Sequence, residues 1–223
     1  WNLLWNKIEM MNNLLILVLA LIFFASCSGN IENVSVPDDF SSEKIISKQN
    51  RLQQILTKEM VAKAVNVPIE KIEISVENSI NRSGQYTALF SWTTGDKKRV
   101  GNHEIDEYHS ISIGFIKQMN IDDFEKYYGT NEGLQMEVDN MSKQEYFNKE
   151  IGTAEAKYIS EYARTRKMQK LDNVATVAFW ETPMNALHVL ANDATFTVTV
   201  NFGDDEVLAK KKSVELTNAI LNN

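Results

Sequence analysis

The chain holds a single cysteine, Cys27, among its 223 residues, so no disulfide can form within it. Clusters of basic residues are equally scarce. Lys and Arg number 23 against 30 Asp and Glu, a formal charge of −7, which excludes a nucleic-acid reader, since phosphate binding needs gathered cations. The same balance disfavours electrostatic adhesion to anionic lipid. No G-x-S-x-G elbow, H-E-x-x-H pair, P-loop or dinucleotide fingerprint is present, so no cofactor is implied by any motif. Long hydrophobic runs are missing too. The apolar stretch at residues 14–25 falls short of the roughly 17–25 residues a membrane-crossing helix needs.

What is there begins with LLILVLALIFFASC, residues 14–27. A short apolar core followed by small residues has the form of an export signal. Ala25 and Ser26 stand directly before Cys27, and small side chains there suit the narrow cleft of a signal peptidase. This segment resembles the lipobox of bacterial lipoproteins, with Phe24 where leucine is usual. The resemblance implies cleavage between Ser26 and Cys27 and a diacylglycerol on the Cys27 sulfur, with acylation of the new amino terminus in organisms that perform that step. Residues 1–26 are then a signal peptide, with Met10 or Met11 as candidate starts, and the protein is lipid-anchored in the bacterial cell envelope, at the periplasmic face or the outer membrane. An uncleaved anchor or a buried core helix is the alternative that residues 14–25 leave open. Each buried methylene contributes about 0.8 kcal/mol to anchoring, so two or three acyl chains hold lastingly.

The mature part divides into a lipidated cysteine with a flexible tether, residues 27–48, and a single α+β domain, residues 49–223. Residues 28–47 are rich in Ser, Asn, Asp and Glu and lack a sustained apolar period. A helix is predicted within residues 50–65. Thr57 gives a second start signal there, flanked by Leu56 and Val61 in the positions of a hydrophobic staple, and Val67-Pro68 is the stop. Strands are predicted at residues 71–77, 86–94 and 109–117, with Thr94-Gly95-Asp96 ending the second and a charged connection over 97–107. A short helix at 122–128, further turns around Leu134, Val138 and Met141, and a capping box at Ser142 and Glu145 followed by an apolar stripe from Phe147 to Tyr162 make up a helical middle.

The last fifty residues carry the clearest pattern. Runs at 174–180, 186–190 and 195–202, separated by tight turns, predict a three-stranded antiparallel meander. In the third, Phe196, Val198, Val200 and Phe202 face one way and Thr195, Thr197, Thr199 and Asn201 the other, so one face is expected buried and the other polar or wet. Asp204, Asp205 and Glu206 then open a terminal helix, at the end where acids suit its dipole. Its apolar side is read as Val207, Val214, Leu216, Ile220 and Leu221. The order of leader, LTKEMVAKAVNVP helix, two strands, helical middle, VATVAFW…NALHVLANDATFTVTVNFGDDE and closing helix resembles small bacterial lipoproteins with a PsbP-like α/β/α domain. That likeness implies a fold, an antiparallel sheet flanked by helices, together with a binding or accessory role. It transfers no catalytic residue, and Asp172-Asn173 stand where many members have a glycine-rich turn.

Three constellations carry alternative readings. His103, Glu107 and His109 would share a face of an extended chain and supply nitrogen and oxygen donors for a metal; the plainer reading is a solvated acidic segment. His188 points away from Leu187 and Val189, with Glu181 and Asp193 near the ends of its hairpin, an arrangement that could serve acid–base chemistry or be a satisfied surface or edge histidine. Trp92, Trp180, Tyr86, Phe90 and Phe179 could line an apolar cleft, although aromatic residues at strand spacing are usually core. The function classes are thus a non-enzymatic envelope lipoprotein with a binding or accessory role, for a protein partner, a small ligand or an envelope assembly; an envelope hydrolase or metal-dependent enzyme using His103, His109 or His188; and a carrier of a small apolar ligand.

Overall fold

The computed structural model describes residues 33–78, 86–130, 133, 162 and 165–223. Cys27, the whole leader, the Ser142 capping box and most of the Phe147 to Tyr162 stripe lie outside them. Glu32–Asn223 forms one compact unit. Its centre is a seven-stranded antiparallel sheet, β1 Glu73–Asn78, β2 Tyr86–Val100, β3 His103–Gln118, β4 Lys167–Leu171, β5 Val177–Thr182, β6 Ala186–Ala191 and β7 Ala194–Asn201. The spatial order is β1-β2-β3-β7-β6-β5-β4. Among the described residues four α-helices accompany it: α1 Ser42–Ile46, α2 Lys58–Val65, α3 Ile121–Gly129 and α4 Glu206–Leu221. The α+β class and the C-terminal antiparallel meander agree with the sequence reading.

Register assigns the two faces. Trp180, Leu187, Val198, Ile113, Ala88 and Val76 form one cross-strand row. Phe179, His188, Thr197, Gly114, Thr87 and Glu77 form the adjacent row on the opposite face, since successive side chains alternate across a strand. The first face is apolar and lies beneath α4, which buries Ala209, Val214, Leu216, Ile220 and Leu221. The second carries α3, whose Phe124 and Tyr128 pack with Val177, Phe179 and Leu190.

Local chemistry sets the helix ends. The Thr57 side chain accepts the Met60 amide, and Leu56 and Val61 are both fully buried, so the second of the two start signals is the one used. The residues before it, Leu52–Gln54, form a separate 3-10 turn instead of the first part of one helix. The Asn120 side chain accepts from Asp123 N at the start of α3, and Asp205 does the same for Leu208 N at the start of α4. Val207 faces solvent, leaving Ala209, Ser213 and Thr217 to complete the buried side of α4.

Four expectations are corrected. The tether does not extend to residue 48. Val34 is 1% exposed, it bridges Val174 in parallel, and Ile45 of α1 is buried; sparse apolar residues without a common period hid this packing. The meander gains a fourth strand, β4, whose KMQKL sequence has too few alternating apolar residues to be read as one. Thr94-Gly95-Asp96 is a bulge and does not end its strand. The Thr94 hydroxyl donates to the Glu107 carbonyl and accepts the Asp96 amide, and β2 continues to Val100 opposite His103. Finally, Thr195 and Thr197 are buried, so the face expected to be wet is covered along the first half of β7.

Candidate functional site

The covered polar face holds the densest chemistry among the described residues. His188 lies in the middle of β6, flanked by β5 and β7. Phe179 is its direct partner across β5, which makes Glu181 the diagonal neighbour on the same face. Glu181 Oε2 lies 2.5 Å from His188 Nε2, and His188 Nδ1 lies 2.9 Å from Thr197 Oγ1. The Tyr128 ring of α3 stacks on the imidazole at 4.2 Å between centroids, with 23° between planes. From the segment leading into β4, the Tyr162 hydroxyl donates to Glu181 Oε1, and Arg166 Nε stands 3.0 Å from that same oxygen. The Arg166 contact is ionic by distance only. Its Nε proton is not aimed at the carboxylate and has no hydrogen-bond acceptor among the described residues.

The cluster is sealed. Glu181 is 5% exposed, His188 7% and Thr197 4%. Burial lowers the His188 pKa from its ordinary value, against the raising effect of the Glu181 bond and with the Arg166 cation lowering it further. The imidazole is therefore neutral at pH 7. Assigned as the Nε2–H tautomer, it donates to Glu181 and accepts from the Thr197 hydroxyl, which uses both nitrogens. Burial likewise raises the Tyr128 phenol well above its usual range. The Arg166 guanidinium is shifted down by desolvation, with Tyr127 and Tyr128 opposing.

A lowered histidine pKa has a definite sign. Between the unfolded value near 6.5 and the lower folded value, the unfolded chain binds the proton and the native chain does not, so stability is lost as pH falls from about 6.5. The limiting slope for one proton is about 1.4 kcal/mol per pH unit. Denaturant titration at pH 7.5 and 5 should show a wild-type loss that the His188→Gln protein lacks. The depressed carboxyls of Asp193 and Glu206 act in a lower window, below about 4.5. Equal losses in the two proteins between pH 7.5 and 5 would contradict this.

The other candidates are placed as follows. Asp193 does not join His188; it accepts from Gln118 Nε2 at 2.6 Å and meets Ser42 at the far end of the hairpin. His103 begins β3 at an exposed tip, whereas His109 packs against Trp92 and Phe202 with centroids at 6.1 and 5.2 Å. Six residue rises along the strand set the two histidines about 20 Å apart, and no metal-holding group of His, Cys, Asp or Glu occurs among the described residues. Trp92, Phe90, Phe179 and Trp180 are core, so these aromatics fill the space between layers. Lys210, Lys211 and Lys212 fan around α4, with Lys210 reaching Gln169 and Lys212 reaching Glu215.

Sequence reasoning found His188 and its Glu181 partner and missed Tyr128, Tyr162, Arg166 and Thr197. Alternation in β7 put Thr197 on the right face, but nothing local indicates that an arginine before β4 folds over it.

In distance the cluster has the parts of a hydrolytic triad, namely carboxylate, imidazole and hydroxyl. In setting it has none of the access. Thr197 lies in mid-strand at 4% exposure, and the Tyr128 ring covers the 7% exposed base. The arrangement instead ties β5, β6 and β7, α3 and the segment entering β4 into one unit. Comparison of the chain with protein families, with curated proteins and with solved structures finds no match.

Proposed function

We propose that this protein is a lipoprotein of the bacterial cell envelope, held to the membrane by acyl chains on Cys27, with a non-enzymatic domain that binds a protein partner. The observation that supports the non-enzymatic part is the closure of the Glu181–His188–Thr197 cluster, in which both imidazole nitrogens are engaged within the fold and none of the three residues is more than 7% exposed. The anchored part is supported by the sequence of residues 14–27, a short apolar run closed by small residues and the sole cysteine. The order of elements from residue 50 onward is the basis for placing the domain in a PsbP-like plan.

Seven Cα spacings lie between Cys27 and Val34, the first buried residue among those described, and an extended chain of that length reaches at most about 25 Å. The domain is thus kept beside the bilayer. No helix among the described residues is long and apolar enough to cross a membrane, and acylation supplies the attachment in this reading. Expressed in its own membrane system, the wild-type protein should sediment with membranes and take up acyl label. The Cys27→Ser protein should lose the label and move to the soluble fraction. Retention of that variant in the membrane pellet would refute the anchor.

A further inference from the structure

We propose that the outer edge of β2 beyond Trp92 takes up an extended partner segment as an added strand, one in which acidic residues alternate with apolar ones. This rests on the binding-module reading above and names its partner's chemistry. β1 pairs with β2 only from Tyr86 to Ser91, and the chain leaves that edge at Ile72 for the 3-10 turn Ile69–Lys71. On the other side, β3 pairs with Lys97, Lys98, Arg99 and Val100 through Asp106, Ile105, Glu104 and His103. Among the described residues, then, the far half of β2 is a free edge with outward N–H and C=O groups, which is a template for a further strand.

Charge selects the occupant. Lys97, Lys98 and Arg99 lie on the free strand itself and outnumber its one acid, Asp96, while Glu104, Asp106 and Glu107 lie one strand further in. Strands are spaced about 4.8 Å apart, so an incoming chain sits about 5 Å from the cations and about 10 Å from the acids. The second distance exceeds the Debye length of about 8 Å at physiological salt, and the nearer row prevails. Alternation then fixes the pattern. Lys97 and Arg99 share one face, while Val100, with Ile105 opposite Lys98, marks the other, and these two apolar residues are 52% and 50% exposed. Acidic side chains of the incoming strand would flank Lys97 and Arg99, and apolar ones would lie beside Val100 and the methylene stem of Lys98. A second copy joined through the same edge about a two-fold axis would set Lys97–Arg99 against itself, which like charges disfavour.

The test uses the full chain in detergent with three synthetic peptides: alternating Glu and Val, alternating Lys and Val, and the Glu-Val peptide N-methylated along its pairing edge. The expected result is that only the first slows amide exchange over residues 93–100. Its affinity should weaken about tenfold or more in the Lys97→Glu/Arg99→Glu protein. Equal binding of the N-methylated peptide, preference for the Lys-Val peptide, indifference to the charge reversal, or absence of protection at millimolar peptide would each overturn the proposal. Protection that rises with protein concentration alone would assign the edge to a second copy and overturn it as well. The Cys27→Ser protein should give the same peptide result, so failure of the anchor and failure of the strand site are separable.

Discussion

Glu181→Ala should lower the unfolding free energy by about 3–5 kcal/mol, the range for removing one partner of a buried ion pair. The loss follows from what is left behind. Arg166, with its side chain 7% exposed, would keep a cation without a counter-charge, and the Tyr162 hydroxyl and His188 Nε2 would each lose their acceptor. Glu181→Gln retains the side-chain volume and one acceptor oxygen but loses the charge and turns the other acceptor into an NH2 donor, so it should fall between wild type and alanine. Removing Arg166 as well relieves part of the penalty. The Glu181→Leu/Arg166→Leu protein should be more stable than the sum of the single losses allows, with a coupling of about 1–3 kcal/mol in a double-mutant cycle. Urea unfolding of wild type, Glu181→Ala, Glu181→Gln, Glu181→Leu, Arg166→Leu and the double leucine protein provides the numbers. A Glu181→Ala loss below about 1 kcal/mol would show that the cluster does not hold the strands together.

Trp180→Ala should cost a similar 3–5 kcal/mol, by a different route. Trp180 is fully buried on the apolar face, in the row with Leu187 and Val198, and alanine would leave a cavity beneath α4. Its indole also does a second job. Nε1 donates to Glu206 Oε1 at 2.9 Å, and Thr182 donates to the same oxygen at 2.8 Å, so the first turn of α4 is fastened to the end of β5. Those two bonds depress the Glu206 carboxyl below its usual range. Trp180→Phe, which retains most of the volume and loses the donor, should cost about 1 kcal/mol plus the loss from its smaller ring. It should also bring the Glu206 pKa, followed by carboxyl NMR, back toward its ordinary value. An unmoved Glu206 titration in that variant would detach the helix cap from the tryptophan.

The apolar half of this architecture was open to sequence reasoning because strand alternation and helix spacing are local. Phe196, Val198 and Val200 announced their face, and Leu56, Thr57 and Val61 announced the start of α2. The polar half resisted for a physical reason. Thr195 and Thr197 alternate like solvent-facing residues, yet α3 and Arg166 pack onto their face and both threonines are buried. The β2–β3 hairpin was hidden differently. Gly95, with φ of +89°, reads as a breaker in the sequence, but the Thr94 hydroxyl bridges the irregularity and lets both strands continue. His188 was singled out from its position between Leu187 and Val189. Which of its two acidic neighbours it would use depends on register, since Glu181 is diagonal to it and Asp193 lies at the far turn.

The anchored reading depends above all on the chemistry of one sulfur. Intact-mass and fragment spectrometry of the protein purified from its own membranes addresses it most directly. The account predicts an amino-terminal residue that is Cys27, carrying a diacylglyceryl group on its sulfur. A mature protein that retains residues 14–26, or one that begins elsewhere with Cys27 unmodified, would contradict it.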